Sequence, residues 1–540
     1  MVFYTKNEHI LNDPKINITF DEIIEMDDTQ FADWVERMAD AVKYSWDVNG
    51  CPPKSGYTEQ EIITEFNKLA NYKTSKFEYK DELTGQVVIW NKARMGACVD
   101  QFFPTMMKAR INYNEKDNGY SIYEIFSDPQ RRKSLHTGSR RHFKRDSFYY
   151  YSQPIKKSDR DALVFTDNGL DFVKKFHDKK LYLDYGMWIQ KVDVDKELTG
   201  YHVQSISNYL TLSKADIEGL RLSAKLYFRS IHLDNYNVHE MTDTDTFQIR
   251  LFKRGQRIFP HGFTAFRIGY IQVAVNFPPL TAKFIWEKYT SHIKNQDVIN
   301  VYDSSAGWGG RILGCLSTDP DLPRYHYIGN DPNPDNFIPE LGITRYEALG
   351  NFFNEKSSRI NPLQKMQGYS ANTFHIFQEG SEDIGNHPDF QQYKGKLDMV
   401  FSSPPYFNRE AYAEDDKQSY KKFGSSYESW RDGFLRPTLT TAYNALKNER
   451  YILWNIADVL VGKNPDGTKK YLPLVQDSID ILTELGAEFK GITHMALMGM
   501  PGQNRVKQDD SGEHIPTSKS YAKVNGEYVK TEPIIVCWKP

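Results

Sequence analysis

From about Gly262 onward the chain alternates apolar runs of strand length with helix-length amphipathic segments. Val298 to Tyr302, Tyr325 to Gly329, Leu397 to Phe401, Tyr451 to Asn455, Phe489 to Met495 and Ile534 to Trp538 each read as a strand, and helical segments separate most of them. Strands covered on both faces are continuously apolar, and parallel neighbours need a crossover. The pattern therefore predicts an α/β fold with a doubly wound, mainly parallel sheet over 262–540. A sheet of that kind takes its ligand where strand carboxyl ends meet loops.

The first 261 residues have a different texture, read as a mixed α+β region. Ile23, Ile24, Phe31 and Trp34 recur at helical spacing among Asp21, Glu22, Glu25, Asp27, Asp28 and Asp33, which predicts a solvated amphipathic helix or two. A helix is expected from Thr58 to Leu69, and a hairpin over Phe77 to Trp90 that turns at Thr84-Gly85. The one strongly biased stretch is 131–145, where Arg131, Arg132, Lys133, Arg140, Arg141, Lys144 and Arg145 occur without an acid and Tyr149, Tyr150 and Tyr151 follow. Cations neutralise phosphates and rings stack on bases, so Arg140, Arg141, Lys144 and Arg145 are candidate nucleic-acid contacts. A solvated basic loop would read the same way.

The 540 residues carry 68 Lys+Arg against 71 Asp+Glu, a net charge of −3, so any nucleic-acid surface must be a local patch. No run approaches the roughly 18–20 apolar residues that cross a bilayer, and the start lacks the apolar segment of a secretion signal, so a soluble intracellular protein is expected. Cys51, Cys98, Cys315 and Cys537 lie far apart with no CxxC pair, which argues against a zinc ribbon or a disulfide framework and leaves no metal expected.

Four motifs fall at predicted strand ends. The first, V-Y-D-S-S-A-G-W-G-G-R at 301–311, runs from a strand through Asp303 and Ser305 into a turn with Gly307, Gly309 and Gly310, then into a helix from about Arg311. Glycines allow a sharp turn and close ligand approach, and the helix start presents free N–H groups, although a purely steric turn uses glycine too. The second places Asp331 at the next strand end, where an acid can accept hydrogen bonds from both ribose hydroxyls; an Asp-Pro turn is the alternative. The third, Gln378 to Asp383, follows a strand expected at Thr373 to Phe377 and can offer a carboxylate to an adenine amino group, although turn residues would look the same.

The fourth motif is the specific one. In L-D-M-V-F-S-S-P-P-Y-F at 397–407, an apolar strand delivers Ser403, Pro404, Pro405 and Tyr406 to the sheet edge. Successive prolines lack N–H donors and leave neighbouring carbonyls as free acceptors. The Ser403 hydroxyl and the Pro404 carbonyl can then hold the two hydrogens of an exocyclic amine while Tyr406 stacks on a flipped base. Accepting both hydrogens frees a nitrogen lone pair that is otherwise delocalised into the ring, so positioning and electrostatics supply the rate enhancement.

These residues together resemble the class I S-adenosylmethionine-dependent methyltransferases and, within them, the amino-methyltransferases of DNA bases. The resemblance covers 262–540 and implies the seven-stranded methyltransferase sheet, with 1–261 contributing target recognition. It implies S-adenosylmethionine as cofactor and double-stranded DNA with a flipped-out base as partner, in the cytoplasm of a bacterial or phage-infected cell. Asn276-Phe277-Pro278-Pro279 resembles the segment that holds the methionine part of the cofactor. Asp303, Gly307 and Gly309 match the cofactor loop, Asp331 the ribose acid and, more loosely, Asp383 the adenine contact. Ser403 to Tyr406 match the catalytic tetrapeptide. Ser305 stands where an aromatic is common, which touches the packing around the cofactor. Serine before Pro-Pro tilts the target towards cytosine N4 over adenine N6. The segment 407–424 resembles a mobile substrate loop, with Gln418, Ser419 and Tyr420 as target contacts, and recognition is further expected near 501–527. RNA amino-methylation, or a non-catalytic DNA-binding or anti-restriction role on the same fold, remains open.

Overall fold

The structure is a computed structural model. It describes residues 8–49, 58–111 apart from 92 and 94, 120–132, 255–259, and 274–497 apart from 295, 320, 323, 358–365, 367–370, 414–415 and 425. It also describes 506–508, 514–516, 520–540 and five strands between 153 and 253. Arg140, Arg141, Lys144, Arg145 and Tyr149 to Tyr151 lie outside the described residues, as does most of 501–519.

One large sheet organises the chain. In chain order its strands are β1 (Glu78–Lys80), β2 (Val87–Ile89), β3 (Val298–Asp303), β4 (Arg324–Asn330), β5 (Thr373–Phe377), β6 (Leu397–Ser402), β7 (Leu446–Asn455), β8 (Glu488–Ala496) and β9 (Glu527–Lys539). Their spatial order is β1-β2-β8-β9-β7-β6-β3-β4-β5, and Tyr521–Val524 adds a further strand on β9. β5, β4, β3, β6 and β7 are mutually parallel, whereas β9 runs antiparallel to both β7 and β8. The seven strands from β5 to β8 form a seven-stranded, mainly parallel sheet of an α/β fold, as expected, and the hairpin β1–β2 extends its far edge.

Side-chain alternation assigns each strand residue to one of two cores. Ile299 and Val301 of β3 and Met399 and Phe401 of β6 face α1 (Glu59–Asn71), α2 (Pro279–Thr290), α3 (Gly310–Leu316) and α4 (Arg345–Lys356). Tyr302 of β3 and Val400 of β6 face α5 (Arg436–Ala445) and α6 (Leu474–Glu484), and Leu397 joins them because the register of β6 shifts between Leu397 and Met399. All six residues of β6 are buried, which is why its sequence is apolar apart from Asp398 and the terminal Ser402. Asp398 is held by Lys447, the Asn300 backbone N–H and Arg450. None of the described helices is long and apolar enough to cross a membrane.

The boundary expected at 261/262 does not separate the strands. β1, β2 and α1 come from the N-terminal side yet belong to the large sheet and its first core. Thr58 caps α1 reciprocally with Glu61, and the far end of α1 is closed from across that boundary. Lys283 of α2, 1% exposed, donates its ammonium to the carbonyls of Leu69, Ala70 and Tyr72 at 3.0, 2.7 and 3.0 Å. Phe66 of α1 stacks on Phe353 of α4 with centroids 4.3 Å apart.

The acidic N-terminal segment forms the helix Asp28–Asn49, whose Phe31, Trp34 and Met38 bury a third core with Ile23, Ile258 and Phe259. Two cations of the basic run are tied to it or near it. Arg132, 4% exposed, pairs with Asp40 at 2.6 Å and Glu36 at 3.1 Å, and Arg131 pairs with Glu124 and Asp128. Those two arginines are structural rather than free for phosphate. The strands Gln153–Pro154, Tyr185–Val192, Tyr209–Thr211, Ile231–Asp234 and Thr246–Lys253 form a separate five-stranded sheet, the mixed content expected of this region.

Candidate active site

The parallel register places Asp303 at the end of β3, Asp331 just past β4, Glu379 past β5 and Ser403 past β6 on one edge of the sheet. The loop 303–310 crosses that edge. Asp303 is fully buried and uses both carboxylate oxygens inside the protein. Oδ1 accepts from the Ser402 hydroxyl at 2.8 Å and the Ser305 N–H at 3.2 Å; Oδ2 accepts from Arg311 Nε and the Tyr327 hydroxyl, each at 2.7 Å. Arg311 also donates to the Ser305 carbonyl, and its guanidinium stands over Phe277 at 5.4 Å. Asp303 and Arg311 thus set the loop's shape from below, and Ser305 belongs to that frame.

The glycines divide by role. Gly307 has φ +60°, and a Cβ there would make only ordinary contacts, with the Arg311 guanidinium at 3.7 Å and the Ser305 carbonyl oxygen at 3.8 Å. Its N–H donates to Asp331 Oδ2 at 3.0 Å and its carbonyl accepts from the Tyr346 hydroxyl. Gly309 and Gly310 are glycine because neighbours touch them: a Cβ would come within 2.4 Å of the Phe103 ring and 2.0 Å of the Phe277 carbonyl oxygen, respectively. Asn276 clamps the turn, donating to the Trp308 carbonyl at 2.6 Å and accepting from Gly310 N–H at 3.2 Å. Phe277 packs edge-on against Phe401, and Pro278 caps the start of α2, so this segment supports the loop from behind.

Asp331 remains half-buried at the cleft. Backbone N–H groups of Gly307 and Asn333 hold its two oxygens at 3.0 and 2.9 Å. The Tyr346 hydroxyl also stands near the carboxylate but spends its proton on the Gly307 carbonyl. Burial outweighs these bonds and raises the Asp331 carboxyl from the usual aspartate range to about 6. Each oxygen keeps a second lone pair, since a carboxylate accepts about four hydrogen bonds. Asp383, by contrast, pairs with Lys422, which also bonds Glu382 at 2.8 Å, so its carboxylate closes a surface ion pair.

Past β6, Pro404 is buried while Ser403, Pro405 and Tyr406 are half-buried. The Tyr406 hydroxyl is within hydrogen-bond reach of Ser403 and donates to the Asn455 carbonyl at 3.4 Å, which directs its polar end towards β7 and β9. Glu532 of β9 contacts Tyr406 and Asn455 by hydrogen bond, and burial together with nearby Glu410 raises its carboxyl. Burial likewise raises Glu410, which accepts from the Tyr412 hydroxyl. Tyr412 packs on Trp308 with centroids 5.3 Å apart, so the glycine loop and the segment after the tetrapeptide share one wall.

That following segment differs from the expected substrate loop. Phe407 takes φ +54° and buries its ring beside Tyr427 and Trp430. Glu410–Ala411 pairs with Arg110–Ile111. The Gln418 amide is spent on Tyr412 N–H and the Ala413 carbonyl, and Ser419 is buried, accepting from Trp430 Nε1 at 3.1 Å. Gln418 and Ser419 therefore hold the segment in place instead of reaching a target, and the side chain of Tyr420 lies outside the described residues.

Sequence reasoning does not single out Phe103, Arg311, Tyr346, Tyr412, Asn455 or Glu532 as parts of the site. Arg311 carries a signal, a lone cation opening an apolar helical run. Phe103 and Glu532 lie far along the chain from the motifs they touch, with no spacing to connect them.

No protein-family model and no curated protein sequence matches the chain. Among solved structures, a SAM-dependent methyltransferase from Methanosarcina mazei is 12% identical, covering 47% of this chain and 96% of its own with a TM-score of 0.24. A candidate DNA modification methylase from Thermus thermophilus, in complex with S-adenosyl-L-methionine, is 16% identical over 30% of this chain and 51% of its own, with a TM-score of 0.19. A 16S rRNA (adenine(1408)-N(1))-methyltransferase from Catenulisporales acidiphilia is 11% identical over 50% and 95%, with a TM-score of 0.23.

Proposed function

We propose that this protein is an S-adenosylmethionine-dependent methyltransferase acting on the exocyclic amine of a flipped-out base in DNA, cytosine N4 or adenine N6. The observation behind this reading is the position of Ser403-Pro404-Pro405-Tyr406. It follows the fourth parallel strand, on the same sheet edge as the glycine loop and Asp331, so a site for a nucleoside and a site for an amine adjoin.

The residues fit the cofactor. Asp331 is half-buried with lone pairs left for ribose hydroxyls, and Gly307, which donates to it, carries no side chain. The Ser304 hydroxyl is buried without a hydrogen-bond partner among the described residues. Asp331, Gly307 and Ser304 would hold S-adenosylmethionine, whose sulfonium supplies an electrophilic methyl group. Asp303 and Arg311 act one layer below, keeping the loop in shape.

The chain's own work is on the acceptor. Ser403 Oγ and the Pro404 carbonyl accept the two amine hydrogens and turn the nitrogen lone pair outward. Tyr406 orients Ser403 and presents its ring to the base, with Asn455 fixing the hydroxyl. Trp308, Tyr412 and Phe407 exclude water from one side. The proton shed by the methylated amine leaves to solvent or to a nearby carboxylate, Glu532 being placed to take it.

Incubation of the full chain with labelled cofactor and unmethylated duplex DNA tests the reading. Label on cytosine N4 or adenine N6 is expected; binding of cofactor without transfer to DNA would remove it, and transfer to RNA alone would redirect it.

A further inference from the structure

Four residues beyond Asn455, the chain leaves the catalytic edge as an antiparallel hairpin of Val459–Lys463 and Lys469–Leu472. β7 is parallel to β6, with Trp454 opposite Ser402, so the hairpin springs from the same edge as Ser403. Four residues span at most about 14 Å, which keeps the hairpin base close to Asn455. Val459 is buried in the second core and anchors it, while Asp458 accepts from Val475 N–H and ties it to α6.

Beyond that anchor the hairpin is exposed on both strands. Leu460, Val461 and Tyr471 are 42, 44 and 48% exposed, and Leu460 lies directly opposite Tyr471. Lys463 lies opposite Lys469, and Lys470 opposite Gly462. Like charges directly across a strand pair repel, and none of the three lysines is in a salt bridge among the described residues. The one acid of the turn, Asp466, spends an oxygen on the Thr468 N–H and hydroxyl. An isolated hairpin gains nothing from such a pattern, whereas a polyanion would relieve it.

We propose that hairpin 459–472 is a DNA-docking element that enters the major groove beside the flipped base, with Lys463, Lys469 and Lys470 on phosphates and base edges and Leu460 and Tyr471 on the groove wall. The inference rests on the DNA reading above. Two strands about 4.8 Å apart form a ribbon that the major groove of B-form DNA, roughly 12 Å wide, accepts. The deep, narrow major groove of A-form RNA does not accept it. The hairpin would supply contacts that the paired Arg131 and Arg132 do not.

The test compares the full chain with a Lys463→Ala/Lys469→Ala/Lys470→Ala variant on a duplex containing the methylated sequence. Cofactor binding by calorimetry is expected to be unchanged, which establishes folding. The slope of log binding constant against log salt is expected to flatten by about 2 to 3, near 0.9 per lost phosphate contact. KM for duplex is expected to rise at least about 10-fold with kcat held within about threefold. An unchanged slope and KM, in a wild type that does methylate duplex DNA, overturns the hairpin proposal and leaves the functional reading standing. A wild type that neither binds nor methylates duplex DNA fells that reading, and this inference with it. Equal losses on duplex RNA would overturn the groove assignment. A Leu460→Ser/Tyr471→Ser variant separates ribbon from charge: a raised KM with an unaltered salt slope is expected, and an unaltered KM counts against groove insertion.

Discussion

Asp303 and Arg311 form a buried ion pair, Nε to Oδ2 at 2.7 Å, beneath the loop that carries Gly307. Breaking a buried pair by removing one partner leaves the other charge uncompensated, at a cost of about 3 to 5 kcal/mol. Arg311→Met is expected to lose about 3 kcal/mol or more in urea unfolding. Asp303→Asn should lose a similar amount, because it leaves the buried Arg311 guanidinium uncompensated and turns an amide NH2 towards groups that donate to the carboxylate. Equal stability of wild type and Arg311→Met would show that the pair does not hold the loop.

Ser403→Ala is expected to lower kcat roughly 100-fold, the scale at which loss of one preorganised polar contact is felt. Cofactor affinity measured by calorimetry should stay within about twofold, since the proposed function puts Ser403 on the acceptor and not on the cofactor. Turnover equal to wild type would deny the hydroxyl its role in orienting the amine.

Asp331 has a folded-state carboxyl raised to about 6 by burial, against about 3.9 in an unfolded chain. Between those values the folded protein holds a proton that the unfolded chain has lost. Stability therefore falls as pH rises through that window and is level above it. Cofactor affinity should run the other way. The ionised carboxylate is the better acceptor, so affinity is expected to climb as pH rises through about 6 and then flatten. Asp331→Asn should weaken binding by about 1.5 to 3 kcal/mol and abolish that pH dependence. Calorimetric titrations on both sides of that value read both effects.

Gly310→Ala is expected to be severe and not repairable by trimming side chains, because the new methyl would meet a backbone carbonyl oxygen, that of Phe277, at 2.0 Å. Gly307→Ala meets nothing closer than 3.7 Å and should cost only the strain of its φ of +60°, about 1 kcal/mol. Thermal melts that rank Gly307→Ala as the worse variant would contradict this division of roles.

Glu532 and Glu410 are both raised by burial and repel each other when ionised. With its folded value raised, Glu532 favours folding at low pH, and that advantage declines as pH rises towards the raised value. Glu532→Gln should therefore shrink the Tm difference between mildly acidic and mildly alkaline buffer. An unchanged difference would locate the burden elsewhere.

The parallel half is legible in sequence because strands buried on both faces cannot be polar: β5 is expected at Thr373–Phe377 and is found there. β7 begins earlier than its apolar stretch because Lys447, Asn448, Glu449 and Arg450 extend it, two of them holding Asp398. Sequence order also puts Asp331 and Ser403 at strand ends, where the structure has them, since strand and turn are local. Contacts made across the sheet leave no trace in spacing. Phe103 beneath Gly309, and Glu532 beside Tyr406, come from strands and loops far away in the chain. The assignment of Ser419 to the target errs for a physical reason: a serine in a polar stretch reads as exposed, and only the Trp430 indole reveals that it faces inward.

β9 lies between β7 and β8 although it follows both in the chain. A growing polypeptide that has reached residue 526 can already assemble the five parallel strands and their helices, with α1 and the hairpin β1–β2 packed on α2 and α4, yet β8 and that hairpin have no strand through which to join the parallel strands in the sheet. Synthesis proceeds at about 5 to 20 residues per second, so the two halves wait only briefly for the 13 residues of β9. During that interval Tyr406 lacks its Glu532 companion, so the edge that carries Ser403 is completed only when the sheet is whole.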